Sequence, residues 1–145
     1  MTGHPRFTGL AIACIDGRLW KTHEDNIDRF IEKKFGGQLA DVIMTAGATA
    51  RLLTSSVKAD MFEDIGLSYT AHGVRRLVIF EHENCGKYAE LAGNGDDRFA
   101  VTEEDEQTVH DRNSQETATL LLEHYPELEI ERYYVKLDGT IVPLD

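Results

Sequence analysis

Val78-Ile79-Phe80-Glu81-His82-Glu83-Asn84-Cys85-Gly86 is the stretch on which the reading of this chain turns. The run from Arg76 to Phe80 is apolar after its first residue and rich in β-branched and aromatic side chains. That is the pattern of a strand buried on both faces, as in a parallel sheet. It runs directly into His-x-x-Cys and then a glycine. A second stretch has the same layout. Phe7 to Ile15 is apolar, carries no charge, and exits through Cys14-Ile15-Asp16-Gly17-Arg18. Both cysteines of the chain, Cys14 and Cys85, therefore stand at the ends of buried strands.

Working outward, Ile27, Phe30, Ile31 and Phe35 recur at helical spacing, with Thr22 and Asp25 as a capping pair in front and Gly36-Gly37 as the stop. Ala40 to Ala46 reads as another strand, closed by Gly47. Val57, Met61, Ile65 and Tyr69 stand four apart and form the buried face of a helix capped by Thr54, Ser55 or Ser56 and ended by Gly73. A short helix is expected from Cys85 to Leu91, followed by a flexible loop at 93–97. Thr102 with Asp105 marks the approach to a long polar helix, from Glu103 to about Tyr125, whose apolar contacts gather late at Leu120, Leu121 and Leu122. Ile130 to Leu137 and Thr140 to Leu144 form an antiparallel pair about the Asp138-Gly139 turn. Strands alternating with helices make an α/β fold with a mainly parallel sheet. In such sheets ligands bind beyond the carboxyl ends of the strands, where the strand order reverses. Both cysteine segments follow strand carboxyl ends.

The chain has 145 residues, enough for a single domain over 1–145 with a substantial core. Its net charge of -11 argues against a nucleic-acid partner and against an anionic membrane surface. No apolar run approaches the roughly 20 residues of a membrane span. The first residues lack a signal-peptide layout, so a cytoplasmic location is expected. There, paired thiols serve as metal ligands or reactive groups more often than as a structural bridge.

Two thiolates and an imidazole make a catalytic zinc set that leaves one position for water or substrate. His82 and Cys85, three apart at a strand-to-helix turn, can converge on one ion. The N–H groups that open the following helix help to stabilise a thiolate at Cys85. Cys14 supplies the third ligand from a distant strand, and Asp16 and Arg18 are placed to control the fourth position. Two other readings stay open. A metal-free thiol pair leaves His82, Asp16 and Arg18 without a shared task. A non-catalytic zinc scaffold would have Asp16 fill the fourth position permanently.

With these residues in place, the chain resembles the β-class carbonic anhydrases. That family carries Cys-x-Asp-x-Arg after its first strand and His-x-x-Cys-Gly after its third, here Cys14 to Arg18 and His82 to Gly86. Ser68 to Ile79 is similar to the helix and strand leading into the histidine, Thr45-Ala46-Gly47 to the turn after the second strand, and Tyr133 to Leu144 to the terminal strand pair. The resemblance implies a three-layer αβα fold, with four mainly parallel strands in the order 2-1-3-4 plus an antiparallel edge strand. It implies one Zn2+ per chain on Cys14, His82 and Cys85, and hydration of carbon dioxide to bicarbonate by zinc-bound hydroxide. It also implies an Asp16–Arg18 gate and a homodimer or higher homo-oligomer. Carbonyl sulfide or carbon disulfide are alternative substrates for the same attack. Four positions differ from the family: Gly17 for serine, Met44-Thr45 for Arg-Asn, and Glu81 for glycine. Glu81 and Glu83 flank His82, which predicts a more acidic site that retains cations. Histidine is the side-chain type suited to a proton relay near neutrality, which makes His23, His72 and His110 the candidates; each reads more simply as a surface histidine, and Arg51 as an exposed structural arginine.

Overall fold

A computed structural model describes residues 5–20, 24, 26–54 and 58–145. Thr22, His23, Asp25, Ser55, Ser56 and Val57 lie outside the described residues. The elements run β1 (Gly9–Ala13), a 3₁₀ turn (Gly17–Leu19), α1 (Ile27–Lys34), β2 (Ala40–Met44), α2 (Ala50–Leu53) and α3 (Lys58–Thr70). They continue with β3 (Arg76–His82), α4 (Gly86–Gly93), a second 3₁₀ turn (Asp97–Phe99), α5 (Glu106–His124), β4 (Glu129–Val135) and β5 (Ile141–Leu144). The sheet order is β2-β1-β3-β4-β5, as expected. β2, β1, β3 and β4 are parallel, and β5 closes the edge antiparallel to β4.

The apolar runs end up where parallel-sheet physics places them. Every residue of β1 is buried, and so is every residue of β3 after Arg76. Side chains alternate between two cores. Ala11, Ala13, Val78, Phe80 and Val135 meet Ile27, Ile31 and Phe35 of the α1 segment on one face. Leu10, Ile12, Leu77 and Ile79 meet Leu52, Met61, Ile65 and Leu121, from α2, α3 and α5, on the other. β1 lies between β2 and β3, so the chain reverses its direction of travel across the sheet there. Cys14 follows β1, and His82 ends β3.

Four details differ from the sequence expectation. β3 continues two residues past Phe80, because Glu81 and His82 still pair with Tyr134 and Val135. Asn26 is the N-cap of α1, its side chain accepting from the Arg29 amide at 3.0 Å. The 93–97 stretch is bonded to the end of α4, through Asn94 N–H to Glu90 O and Asp96 N–H to Leu91 O, and it leads to fully buried Phe99. The buried face of α5 is largely polar: His110, Asn113, Ser114 and Thr117 join Val109, Ala118 and Leu121, while Leu122 is 40% exposed. This helix covers polar groups of the sheet. Arg132 of β4 donates to Asp111 and Ser114, and Glu81 of β3 faces His110.

Candidate metal centre

Cys14, His82 and Cys85 are brought together from three segments. Each offers one ligand atom, and these atoms all lie within 4.8 Å of one another. All three residues are buried, and both cysteines are free thiols. Local chemistry sets each one. Cys14 leaves β1 with its carbonyl accepting from the Trp20 indole N–H at 2.9 Å and its Sγ accepting from the Gly47 amide at 3.4 Å. His82 is the last residue of β3. Its Nδ1 lies 2.8 Å from the Glu83 carbonyl oxygen, which can only accept, so Nδ1 carries the proton. Nε2 is buried and has no hydrogen-bond partner. A buried imidazole nitrogen with a lone pair and no donor is costly unless a cation takes it. Cys85 follows a sharp turn in which Asn84 has φ +59°, a left-handed conformation that asparagine tolerates better than most residues. That reversal turns Cys85 back toward His82, and Cys85 becomes the N-cap of α4.

The electrostatics fit a cation in the middle. The hydrogen bond from Cys85 depresses the Cys14 thiol, and the same interaction, with burial, pushes Cys85 up. The pair therefore carries one negative charge readily and a second only with a positive partner. The Tyr88 and Lys87 amides that open α4 act the other way on Cys85 and favour its thiolate. Burial disfavours a charged His82, but the neighbouring Cys14 thiolate outweighs it and raises the imidazole pKa. Two sulfurs and one nitrogen are a donor set suited to zinc.

Asp16 and Arg18 stand beside this cluster, paired with each other. Arg18 Nη2 is 2.6 Å from Asp16 Oδ2, Nε is 3.1 Å from Oδ1, and the Arg18 amide donates to Oδ1 at 3.0 Å. These bonds hold the Asp16 carboxyl down at about 2. Arg18 also donates to Asn84, to its side-chain oxygen at 3.2 Å and its carbonyl at 3.1 Å. One guanidinium thus links the exit of β1 to the His-x-x-Cys turn. On its other side that turn is held by Glu106 of α5, which accepts from the Asn84 amide at 2.7 Å. A cleft of about 230 Å3 reaches Cys85, walled by Ala89, Ala92, Phe99 and Val101 with Asn84 and Glu106 at the polar side.

The flanking glutamates do not make the site more acidic in the way expected. Strand alternation sends Glu81 to the face opposite His82, where it is 1% exposed and bonded to Thr49, Tyr88 and His110. Glu83 turns to the β4–β5 connection and accepts from the Leu137 amide at 2.8 Å. Of the histidines expected at the surface, the two among the described residues are not there either. His110 is 1% exposed, and half-buried His72 pairs with Asp41 on β2. Arg51 is half-buried and donates to the Ala46 carbonyl.

Gly47 is a contributor that sequence spacing undersold. It has φ +80°, and a Cβ there would lie 2.7 Å from Lys87 Cγ and 2.9 Å from Lys87 Cβ on α4. Its amide also serves Cys14. Gly47→Ala is expected to lose ~1–2 kcal/mol from backbone conformation alone, with further loss from the push on α4. Urea denaturation of the metal-free variant would read this; an unchanged midpoint would contradict it.

Comparison with known proteins agrees with this architecture. An uncharacterised protein of Rickettsia bellii is 24% identical over 135 residues, covering 91% of this chain and 78% of the relative. A carbonic anhydrase from Glaciozyma antarctica superposes with TM-score 0.60 at 21% identity, over 99% of this chain and 87% of that one. A tetrameric β-carbonic anhydrase from Sordaria macrospora gives 0.65 at 15% identity, over 98% and 82%. The family model described as "Putative carbonic anhydrase" matches residues 5–145. With that match spanning nearly the whole sequence, the chain belongs to this carbonic anhydrase family, as a divergent member with the β-class fold.

Proposed function

We propose that this chain is a zinc-dependent enzyme that interconverts carbon dioxide and bicarbonate. Cys14, His82 and Cys85 hold one zinc ion per chain, and Asp16 with Arg18 gates the fourth position. The observation that carries the reading is the convergence of two buried thiols on a buried His82 Nε2 that has no other partner. When bound, zinc supplies a Lewis acid that brings the pKa of water toward neutrality, giving a nucleophile for the carbon of carbon dioxide. Two thiolates put more negative charge on the site than imidazoles would, which opposes that ionisation. An acceptor that orients the attacking water is then of value, and Asp16, kept ionised by Arg18, is suited to the task. The Asp16–Arg18 pairing favours an enzyme over a scaffold in which Asp16 occupies the fourth position. The apolar walls of the cleft at Cys85, and Met44-Thr45 after β2, favour carbonyl sulfide or carbon disulfide as the second reading of the substrate.

The same reading takes a small-molecule substrate and no nucleic-acid partner, consistent with the net charge of -11. It makes the protein a homodimer or higher homo-oligomer. The edge strand β2 exposes Val42 and Met44, with Leu39 before it and Leu67 on the adjoining helix α3, an apolar edge that a second copy would cover. A cytoplasmic site is proposed from the two free thiols. Among the described residues no helix is long and apolar enough to cross a membrane.

The test is isotope exchange of oxygen between labelled carbon dioxide and water, with protein carrying about one zinc per chain, between about pH 7 and pH 9. Exchange well above the protein-free rate is expected. A fully metallated sample with background exchange would overturn the reading, and sulfide release from carbonyl sulfide by that sample would install the second one.

A further inference from the structure

Glu81 is a buried acid that the proposed reaction does not use. It sits one residue before His82 but on the opposite face of β3, and only 1% of it is exposed. Its carboxyl group is a junction of four elements. Oε2 accepts from the Thr49 hydroxyl at 3.2 Å, and Oε1 accepts from the Tyr88 hydroxyl at 3.1 Å. His110 Nδ1 lies 3.2 Å from Oε1, and its ring stacks on Tyr88 with centroids 3.9 Å apart. The Asn113 amide completes the set by donating to the Tyr88 hydroxyl at 3.2 Å.

Each partner lies on a segment that positions part of the metal cluster. Thr49 is two residues after Gly47, whose amide bonds Cys14 Sγ. Tyr88 is in the first turn of α4, three residues after Cys85. His110 is one helical turn after Glu106, which holds the Asn84 amide of the His-x-x-Cys turn. Glu81 itself continues through the backbone into His82. A polar group buried this deeply contributes only if its partners are all in place, so the network ties those four segments into one arrangement.

We propose that Glu81 is a positioning residue that sets the spacing of Cys14, His82 and Cys85 from behind the sheet, and so tunes metal affinity without touching the ion. The proposal rests on the metal reading given above. It takes the place of the purely local support that a glycine before the histidine would leave to the backbone.

The test compares zinc affinity, by competition with a chromophoric chelator, and the thiolate charge-transfer and ligand-field spectrum of the Co2+-loaded protein. Glu81→Ala is expected to weaken zinc binding ~10-fold or more and to shift the Co2+ spectrum, on the scale found for partners behind metal ligands. Glu81→Gln keeps one acceptor for Tyr88 and His110, and the Thr49 hydroxyl can turn to accept from the new amide. It is expected to restore most of the affinity. Should Glu81→Ala fail to fold, Tyr88→Phe and Thr49→Val each remove one tie and are expected to weaken zinc several-fold. Leu121→Ala, in the apolar core under α5, is the control that lowers the melting temperature with zinc affinity unchanged. Wild-type protein that binds no zinc would remove the metal reading itself. Wild-type protein that binds zinc, beside Glu81→Ala or the milder pair with unchanged affinity and spectrum, would overturn the positioning role alone.

Discussion

Serine in place of either Cys14 or Cys85 is expected to lower zinc affinity by on the order of 10³-fold and to remove carbon dioxide exchange with it. A hydroxyl at these positions stays protonated near neutrality, so it offers a weak neutral donor where the cluster needs a soft anion. Both thiols are buried, which leaves a displaced ion little water to fall back on. The two variants should also differ in proton release. Cys14 is already depressed, whereas Cys85 is raised and holds the shared proton. Zinc binding to the wild type near pH 7 to pH 8 should therefore expel about one proton from the thiol pair, and apparent affinity should climb about tenfold per pH unit. At lower pH a second proton, from His82 with its raised pKa, steepens the dependence. Chelator competition across pH, with proton release followed in weak buffer, measures all of this. Zinc retained at wild-type affinity by both serine variants would leave the cluster without its metal role. A reversible Cys14–Cys85 disulfide in zinc-free protein would then favour redox chemistry.

The strands and the cluster were legible in the sequence because their signals are local. Apolar runs such as Leu77 to Phe80 announce a doubly covered strand. Residues three apart at a strand-to-helix turn announce convergence, and Asn84 with its positive φ supplies the reversal that this spacing needs. Glu81 was misplaced because adjacency in sequence suggests adjacency in space, while a strand sends neighbours to opposite faces. Its partners Thr49, Tyr88 and His110 lie on separate elements with no shared spacing, so only the fold could assemble them. The leucines at 120–122 misled in a related way. Successive helix positions point about 100° apart, and only Leu121 is fully buried. The polar buried face of α5 has no sequence signature, since it is dictated by Glu81 and Arg132 across the interface.

Arg18→Ala should separate the proposed gate from the proposed ligands. The side chain is 45% exposed, so its removal leaves no cavity, and its ion pair with Asp16 has little worth as stability. Its value lies in geometry. It fixes Asp16 with three side-chain hydrogen bonds and fastens Asn84 with two more. Without it, Asp16 keeps only the backbone amide of residue 18 among these bonds and can rotate toward the open side of the cluster, and the His-x-x-Cys turn loses its ties to β1 while keeping those to Glu106 and to the β4 end. Exchange activity is expected to fall ~10–100-fold, while zinc affinity stays within a few-fold of wild type or rises as Asp16 becomes a fourth ligand. Arg18→Lys should recover little, since an ammonium cannot reproduce the fork that spans both Asp16 oxygens and Asn84. The acid limb supplies an independent readout. Asp16 is depressed from 3.8 to about 2 in the folded protein, so its contribution to stability is complete above about pH 4 and is lost as pH falls toward 2. Arg18→Ala removes the guanidinium's share of that depression, the largest one, and leaves that of the backbone amide. Any stability gap between the two metal-free proteins should be constant above about pH 4 and close between pH 4 and pH 2. Wild-type exchange by zinc-loaded Arg18→Ala would show that Asp16 needs no anchor. A loss of zinc equal to that of Cys14→Ser would make Arg18 part of the scaffold for the ligands instead of the gate.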